Sequence, residues 1–288
     1  MRITPLIASR FRSDGGTMFG LVPKPIWAKR IAPDELNRIP QNAHSLLVET
    51  DDGRLGLIDT GCGAASKFSE KENSLSGLGP GWPLLENLTS RGIAPEKIDF
   101  ITFTHLHWDH GGGADANVFR NAELIVHEIE WADAHGCDPL LYKSYPPEAV
   151  DPLKTGFAGR TRFVTDEKTE IAPGLRLVRS SGHTNGHCVA VFEGDIEIVH
   201  ADAASLPPLN LAVFAGDVCP MRHSLRMVFQ TSYDTYPLNT RRWKREWLPR
   251  IARERGLLLF DHDPDVFGAI IREDAREEFA TEILLTAR

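Results

Sequence analysis

A short apolar, β-branched run, Phe100-Ile101-Thr102-Phe103-Thr104, leads directly into His105-Leu106-His107-Trp108-Asp109-His110 and then three glycines. A run of this kind reads as a buried strand. Nothing else in the chain restricts the fold as strongly, because that strand must end where three imidazoles and a carboxylate crowd into six residues. Unpaired imidazoles beside a buried strand are costly, so a polar surface loop explains the segment poorly and metal ligation explains it well. Zinc takes His nitrogen together with Asp or Glu oxygen, and catalytic sites keep one position open for water. In extended backbone His105 and His107 point to the same side. The turn that follows can aim Asp109 and His110 at a neighbouring position. Gly111, Gly112 and Gly113 then let the chain turn where side chains would collide with the site. In α/β sheets, ligands gather at such strand ends.

The remaining elements frame this loop. Ser45–Thr50 and Arg54–Ile58 read as strands around the turn Asp51-Asp52-Gly53, the second running into Asp59-Thr60-Gly61. Further strands are expected at Ala122–Val126, Leu175–Val178, Val189–Phe192, Ile196–Val199, Leu211–Phe214 and Leu257–Phe260, with helices over 82–91 and 128–135. Near residue 240 the period changes: Trp243, Trp247, Leu248 and Ile251 share one helical face, with Pro249 expected to bend or restart the helix and Gly256 to end it. Ala275, Phe279 and Ile283 suggest the apolar stripe of a closing helix. Residues 1–41, rich in Gly and Pro, are expected as a loop-rich N-terminal extension. Residues 137–160, with Pro139, Pro146, Pro147 and Pro152, read as a surface excursion. There is no repeat and no linker. Two runs of strands with helices between them suit an α/β fold, an αββα sandwich forming one domain over 1–288.

Bulk properties exclude some functions. The net charge of −8, from 32 basic and 40 acidic residues, argues against nucleic acid, which selects a basic footprint. The cluster Arg241, Arg242, Lys244 and Arg245 reads as the solvated face of a helix. Cys62, Cys137, Cys188 and Cys219 are scattered, which fits a reducing cytosol. The first apolar run is too short for a signal peptide, and no stretch approaches the ~20 apolar residues of a membrane span. A cytoplasmic protein with no membrane partner is expected.

Five motifs together resemble the metallo-β-lactamase superfamily: His-x-His-x-Asp-His at 105–110, Gly182-His183-Thr184-Asn185-Gly186-His187, Gly216-Asp217, Asp261-His262 and Asp59-Thr60-Gly61. The resemblance runs from about residue 42 to 270. It implies two zinc ions, with other divalent first-row metals able to replace them. One ion would be held by His105, His107 and His183, the other by Asp109, His110 and His262, and Asp217 would bridge them. It also implies that Asp59 orients a ligand ring, that Asp109 helps orient the nucleophile, and that His187 is a structural hydrogen-bonder. His44, His127, His135 and His200 carry no motif. Trp108 is expected near the metals, whereas Trp27 and Trp82 are expected in the core.

Within the superfamily, His107 stands where the redox diiron branch has Glu. The tail is too short for a glyoxalase II-type helical domain, no nuclease arm is apparent, and Asp217 disfavours the commonest true β-lactamases. The chain is similar to the quorum-quenching lactonase and methyl parathion hydrolase-like branch. That similarity implies hydrolysis of lactones or carboxylic esters by attack of a metal-bound hydroxide. Phosphotriester or phosphodiester hydrolysis on the same site is the alternative, and a non-catalytic metal-binding protein is the reading from another class. Acyl-homoserine lactonases place a tyrosine three residues after the bridging aspartate, where this chain has Pro220. Either another group, such as Tyr233 or His223, assists in its place, or the metals suffice. The partner is a small-molecule ester or lactone, and the apolar content of residues 15–30 suggests a homodimer.

Overall fold

The computed structural model describes residues 1–136 and 143–287; Cys137 and Pro139 fall outside them. Six strands form the first sheet: β1 (Arg2–Asp14), β2 (Arg38–Glu49), β3 (Leu55–Ile58), β4 (Phe100–Thr102), β5 (Glu123–His127) and β6 (Thr161–Val164), paired in that order. β1 to β3 are antiparallel, and β3 to β6 are parallel. Seven more form the second: β7 (Lys168–Ala172), β8 (Leu175–Arg179), β9 (Cys188–Ile198), β10 (Leu209–Phe214), β11 (Leu257–Leu259), β12 (Val266–Asp274) and β13 (Glu278–Thr286). β10 and β11 are parallel and the other neighbours antiparallel. A short parallel contact, Arg2 with Glu197 and Ile3 with Ile198, joins the sheets at one edge.

The layers follow from strand periodicity. In β2, Leu46 and Val48 face the core between the sheets while Leu47 faces the outer helices; in β10, Ala212 and Phe214 face inward while Leu211 and Val213 face out. Both faces are therefore buried, which is why these strands read as unbroken apolar runs. The helix Pro83–Ser90 and the helix Pro147–Gly156 cover the first sheet through Leu84, Leu88, Val150 and Leu153. The helix Pro237–Arg253 covers the second through Trp243, Trp247, Leu248 and Ile251. Helices outside two packed sheets make the αββα sandwich.

Several expectations are corrected. Residues 1–41 are not a loop-rich extension, because β1 occupies Arg2–Asp14 and β2 begins at Arg38. Ile3 and Ile7 face one core and Leu6 and Ala8 the other, with a bulge between Ile7 and Ser9, so no simple alternation advertises the strand. The apolar residues that follow are buried in their own chain: Met18, Phe19, Val22 and Trp27 pack with Ile39, Met221 and Phe229. The closing helix is the hairpin β12–β13. A spacing of four is a multiple of the strand period of two as well as a helical neighbour distance, so Ala275, Phe279 and Ile283 did not discriminate. Val189–Phe192 and Ile196–Val199 merge into β9, which passes through Gly194 at φ +110°. The helix Pro237–Arg253 continues through Pro249, and its Lys244 is not solvated but buried, donating from Nζ to the Phe229 carbonyl at 2.7 Å. Residues 147–156 of the proline-rich stretch are helical. The described cysteines Cys62, Cys188 and Cys219 are free and buried. Among the described residues no helix is long and apolar enough to cross a membrane.

Candidate metal centre

The parallel pairs β3/β4 and β10/β11 deliver their C-terminal ends to one place. Asp59 follows β3, the loop 103–110 follows β4, Asp217 follows β10, and Asp261-His262 follows β11. The β8–β9 connection adds His183. All of these but the partly exposed Trp108 and Asp109 are buried.

Two groups of donor atoms result, each with its atoms within 4.8 Å of one another: His105, His107, His183 and Asp217, and His110, Asp217, Asp261 and His262. Asp217 belongs to both through different oxygens. Its Oδ2 lies 3.1 Å from His183 Nε2, and its Oδ1 lies 3.1 Å from His262 Nε2 and 3.7 Å from His110 Nε2. His183 Nε2 and His107 Nδ1 face each other at 3.1 Å. Bonds of about 2.0–2.1 Å in a tetrahedron put ligand atoms roughly 3.3–3.4 Å apart, close to these separations. His105 Nε2, His110 Nε2 and Asp217 Oδ1 are buried without a hydrogen-bond partner. Burying such atoms is expensive, and a divalent cation in each group would satisfy them. The residues therefore fit two metals.

The opposite side of most rings is fixed, as ligand histidines require. His110 Nδ1 pairs with Asp59 Oδ2 at 2.9 Å, His183 Nδ1 with Asp234 Oδ1 at 2.9 Å, His262 Nδ1 with the Asn42 carbonyl at 2.8 Å, and His105 Nδ1 with Thr104 Oγ1 at 3.1 Å. Asp59 also accepts from the Thr104 amide and hydroxyl, each at 2.7 Å, from a left-handed backbone at φ +56°. His187 joins neither group. Its Nδ1 lies 2.6 Å from Ser180 Oγ, and its Nε2 accepts the Asp217 amide at 3.1 Å. Gly216 between them has φ +51°, and a Cβ there would sit 2.7 Å from that Nε2.

The electrostatics of the groups differ. Burial and the neighbouring imidazoles hold His105 and His107 well below the usual histidine pKa, so both rings are neutral bases. Burial also lowers the basicity of His262, but Asp261, Asp217 and Asp109 outweigh it and raise the pKa to about 10. The first group is nitrogen-rich. The second is surrounded by carboxylates and attracts positive charge.

Most residues singled out in the sequence converge here. Asp109 faces the second group, with Oδ2 3.5 Å from His262 Nε2 and Oδ1 4.0 Å from His110 Nε2. Trp108 and Tyr233 line the mouth, a cavity of about 160 Å³ that also exposes His107, His183, Asp217 and His262. His223 is not brought in. It lines a separate cavity with Arg30, Arg222 and Phe229, where burial and Arg222 push its pKa down to about 4. Sequence reasoning quoted Asp261 within a motif but gave it no role, and it missed Asp234, Asn42 and also Glu130. Buried Glu130 accepts the Leu106 amide at 2.8 Å, the Tyr145 hydroxyl at 2.7 Å and the Thr184 hydroxyl at 2.5 Å, tying the 105–110 loop to the 183–187 loop. Asp234 and Asp261 each adjoin a residue already noted, and that adjacency was the only signal available.

Comparison with known proteins agrees with this geometry. Residues 38–236 match the family described as the metallo-beta-lactamase superfamily, and the chain belongs to it. An N-acyl homoserine lactonase from a Bacillus species is 28% identical over 173 residues, 57% of this chain; the matched stretch spans 62% of that relative's length. Among solved structures, a probable metal-dependent hydrolase from Staphylococcus aureus superposes with a TM-score of 0.83 at 27% identity, covering 98% of this chain and 96% of its own. AidC, a dizinc quorum-quenching lactonase in complex with a product, shares the fold at a TM-score of 0.73 and 20% identity, covering 96% of this chain and 93% of its own.

Proposed function

We propose that this single-domain chain is a dinuclear metal-dependent hydrolase that opens lactones or cleaves carboxylic esters. The observation that carries the proposal is the pair of imidazole groups sharing one aspartate, with buried donor atoms left unpaired on the side where the groups meet. His105, His107 and His183 would hold one ion, Asp109, His110 and His262 the other, and Asp217 would bridge them. Zinc suits both sets, and such ions supply activated water and Lewis acidity toward a carbonyl.

The chain's own residues do the rest. Asp59, Asp234 and the Asn42 carbonyl lock three ring orientations, so the donor set is organised before anything binds. Asp109, half-open at the mouth, is placed to accept a proton from the attacking water. Pro220 cannot act as the tyrosine it replaces, and its carbonyl is engaged by the His262 amide at 2.8 Å. Tyr233 lines the same cavity from another loop and is the phenol available to the leaving alkoxide. Next to the mouth and sharing Trp108 and Lys143, an open groove of about 420 Å³ runs past Phe68, Leu75 and Pro146. A substrate with an apolar tail fits it. Exposed Leu21 and Ile26 keep a homodimer through residues 15–30 within the proposal. The free cysteines Cys62, Cys188 and Cys219 support a cytoplasmic location.

The test is turnover of zinc-loaded protein on an acyl-homoserine lactone, an aryl ester and a phosphotriester in parallel. The proposal expects the lactone or the ester to lead. Turnover confined to the phosphotriester would refute it in favour of chemistry at phosphorus, and inactivity on all three with two metals bound would favour a non-catalytic metal-binding role.

A further inference from the structure

Asp261 is completely buried beside the second donor group, and neither of its carboxylate oxygens receives a hydrogen bond. Its Oδ2 lies 3.4 Å from His262 Nε2 and 3.2 Å from His110 Nδ1. A carboxylate in this position ordinarily accepts from the far nitrogen of a ligand ring. Both far nitrogens are already engaged, His262 Nδ1 by the Asn42 carbonyl and His110 Nδ1 by Asp59. Asp261 Oδ2 lies between His110 Nδ1 and the nitrogen with which His262 meets Asp217. A buried carboxylate with no hydrogen bond is costly; the imidazoles of His110 and His262 offset part of that cost, and a cation held among these donor atoms would satisfy the oxygens directly.

We propose that Asp261 is a further metal-ligating residue of the second position. The inference rests on the dinuclear reading above. The first position then offers three imidazoles and one carboxylate, whereas the second offers two imidazoles with Asp217 and Asp261, and Asp109 at the mouth. Oxygen donors suit harder cations such as manganese, and imidazole suits zinc. The two positions therefore differ in selectivity, and the second tolerates manganese.

The experiment loads stripped protein from a mixture with manganese in large excess over zinc, which offsets the weaker binding of manganese to such donors, and counts both metals per chain by mass spectrometry, comparing wild type with Asp261→Asn. Wild type should hold two metals, with manganese confined to about one position. In the variant, affinity for the second metal should fall about tenfold or more, and manganese should be lost before zinc. A folded variant with wild-type affinity and an unchanged metal ratio overturns the ligand assignment. A wild type that takes up a single metal overturns the dinuclear reading and this inference with it. Should Asp261→Asn fail to fold, anomalous diffraction from metal-loaded wild-type crystals decides: an Asp261 oxygen about 2.0–2.2 Å from the second metal supports the assignment, and one beyond about 3 Å overturns it.

Discussion

Replacing Asp59 should cost stability and metal affinity together, because its one carboxylate serves both. It accepts three hydrogen bonds, from the Thr104 amide, the Thr104 hydroxyl and His110 Nδ1, in a site it leaves only 1% exposed. In Asp59→Ala the Thr104 hydroxyl can turn toward His110 Nδ1, 3.3 Å away. The Thr104 amide stays orphaned, and His110 keeps at best a weaker partner. Each buried orphan costs about 1–3 kcal/mol, and the left-handed backbone at φ +56° adds about 1 kcal/mol once the side chain is alanine. A loss of roughly 3–7 kcal/mol follows, a large part of the about 5–15 kcal/mol that a domain possesses. Asp59→Asn tolerates the same backbone and keeps an oxygen for the Thr104 amide. The asparagine's amide nitrogen replaces the oxygen that served both the Thr104 hydroxyl and His110; the hydroxyl can accept from that nitrogen instead, so the net loss is the His110 contact, for about 1–3 kcal/mol. Both variants free the His110 ring, so affinity for the second metal should fall about 10–100-fold. Urea unfolding in the presence of chelator measures the first effect, and competition against a chelator of known affinity measures the second. An Asp59→Ala protein within about 1 kcal/mol of wild type and with unaltered metal affinity would refute the reasoning.

Three further outcomes are expected. Asp217→Ala removes the shared carboxylate and should lower turnover by about 100-fold or more while the fold survives; near-wild-type turnover with both metals bound would show the bridge to be misassigned. Tyr233→Phe should lower kcat for lactone opening by about 100-fold with metal content unchanged, and an unaffected kcat would remove Tyr233 from the chemistry. His44 is buried, with Nδ1 2.9 Å from the Phe260 carbonyl, and burial lowers its pKa to about 3. Above about pH 6.5 both folded and unfolded states hold it neutral. Between about 6.5 and 3 the unfolded state alone takes up the proton, so stability falls by roughly 1.4 kcal/mol per pH unit on acidification. His44→Asn should flatten that slope in chelator-treated protein, and equal slopes in the two proteins would contradict it.

The candidate centre was legible in the sequence where its residues are contiguous or sit in short motifs. His105 to His110, His183, Asp217 and His262 could be named because little besides metal ligation crowds imidazoles and carboxylates at the ends of buried strands. The residues that hold them could not. Asp234 lies 51 positions from the ring it fixes, and Asn42 lies 220 positions from His262 and acts through its backbone. No local pattern carries such pairings. The fold behaved likewise. Strands buried on both faces, such as β4 and β10, stood out as apolar runs. β1 did not, because its polar second half, Ser9 to Asp14, and the glycines after it masked the strand. The hairpin β12–β13 was lost to a spacing that helix and strand share. His223 was misplaced because nearness in sequence to Asp217 is not nearness in space.

The most direct test of the central claim is to titrate zinc back into stripped protein while following proton release from an acyl-homoserine lactone and counting bound metal. The account predicts no ring opening in the stripped protein, with turnover reaching its maximum as the second equivalent binds. Full turnover in protein shown to be free of metal, or a maximum reached at one metal per chain, would contradict it.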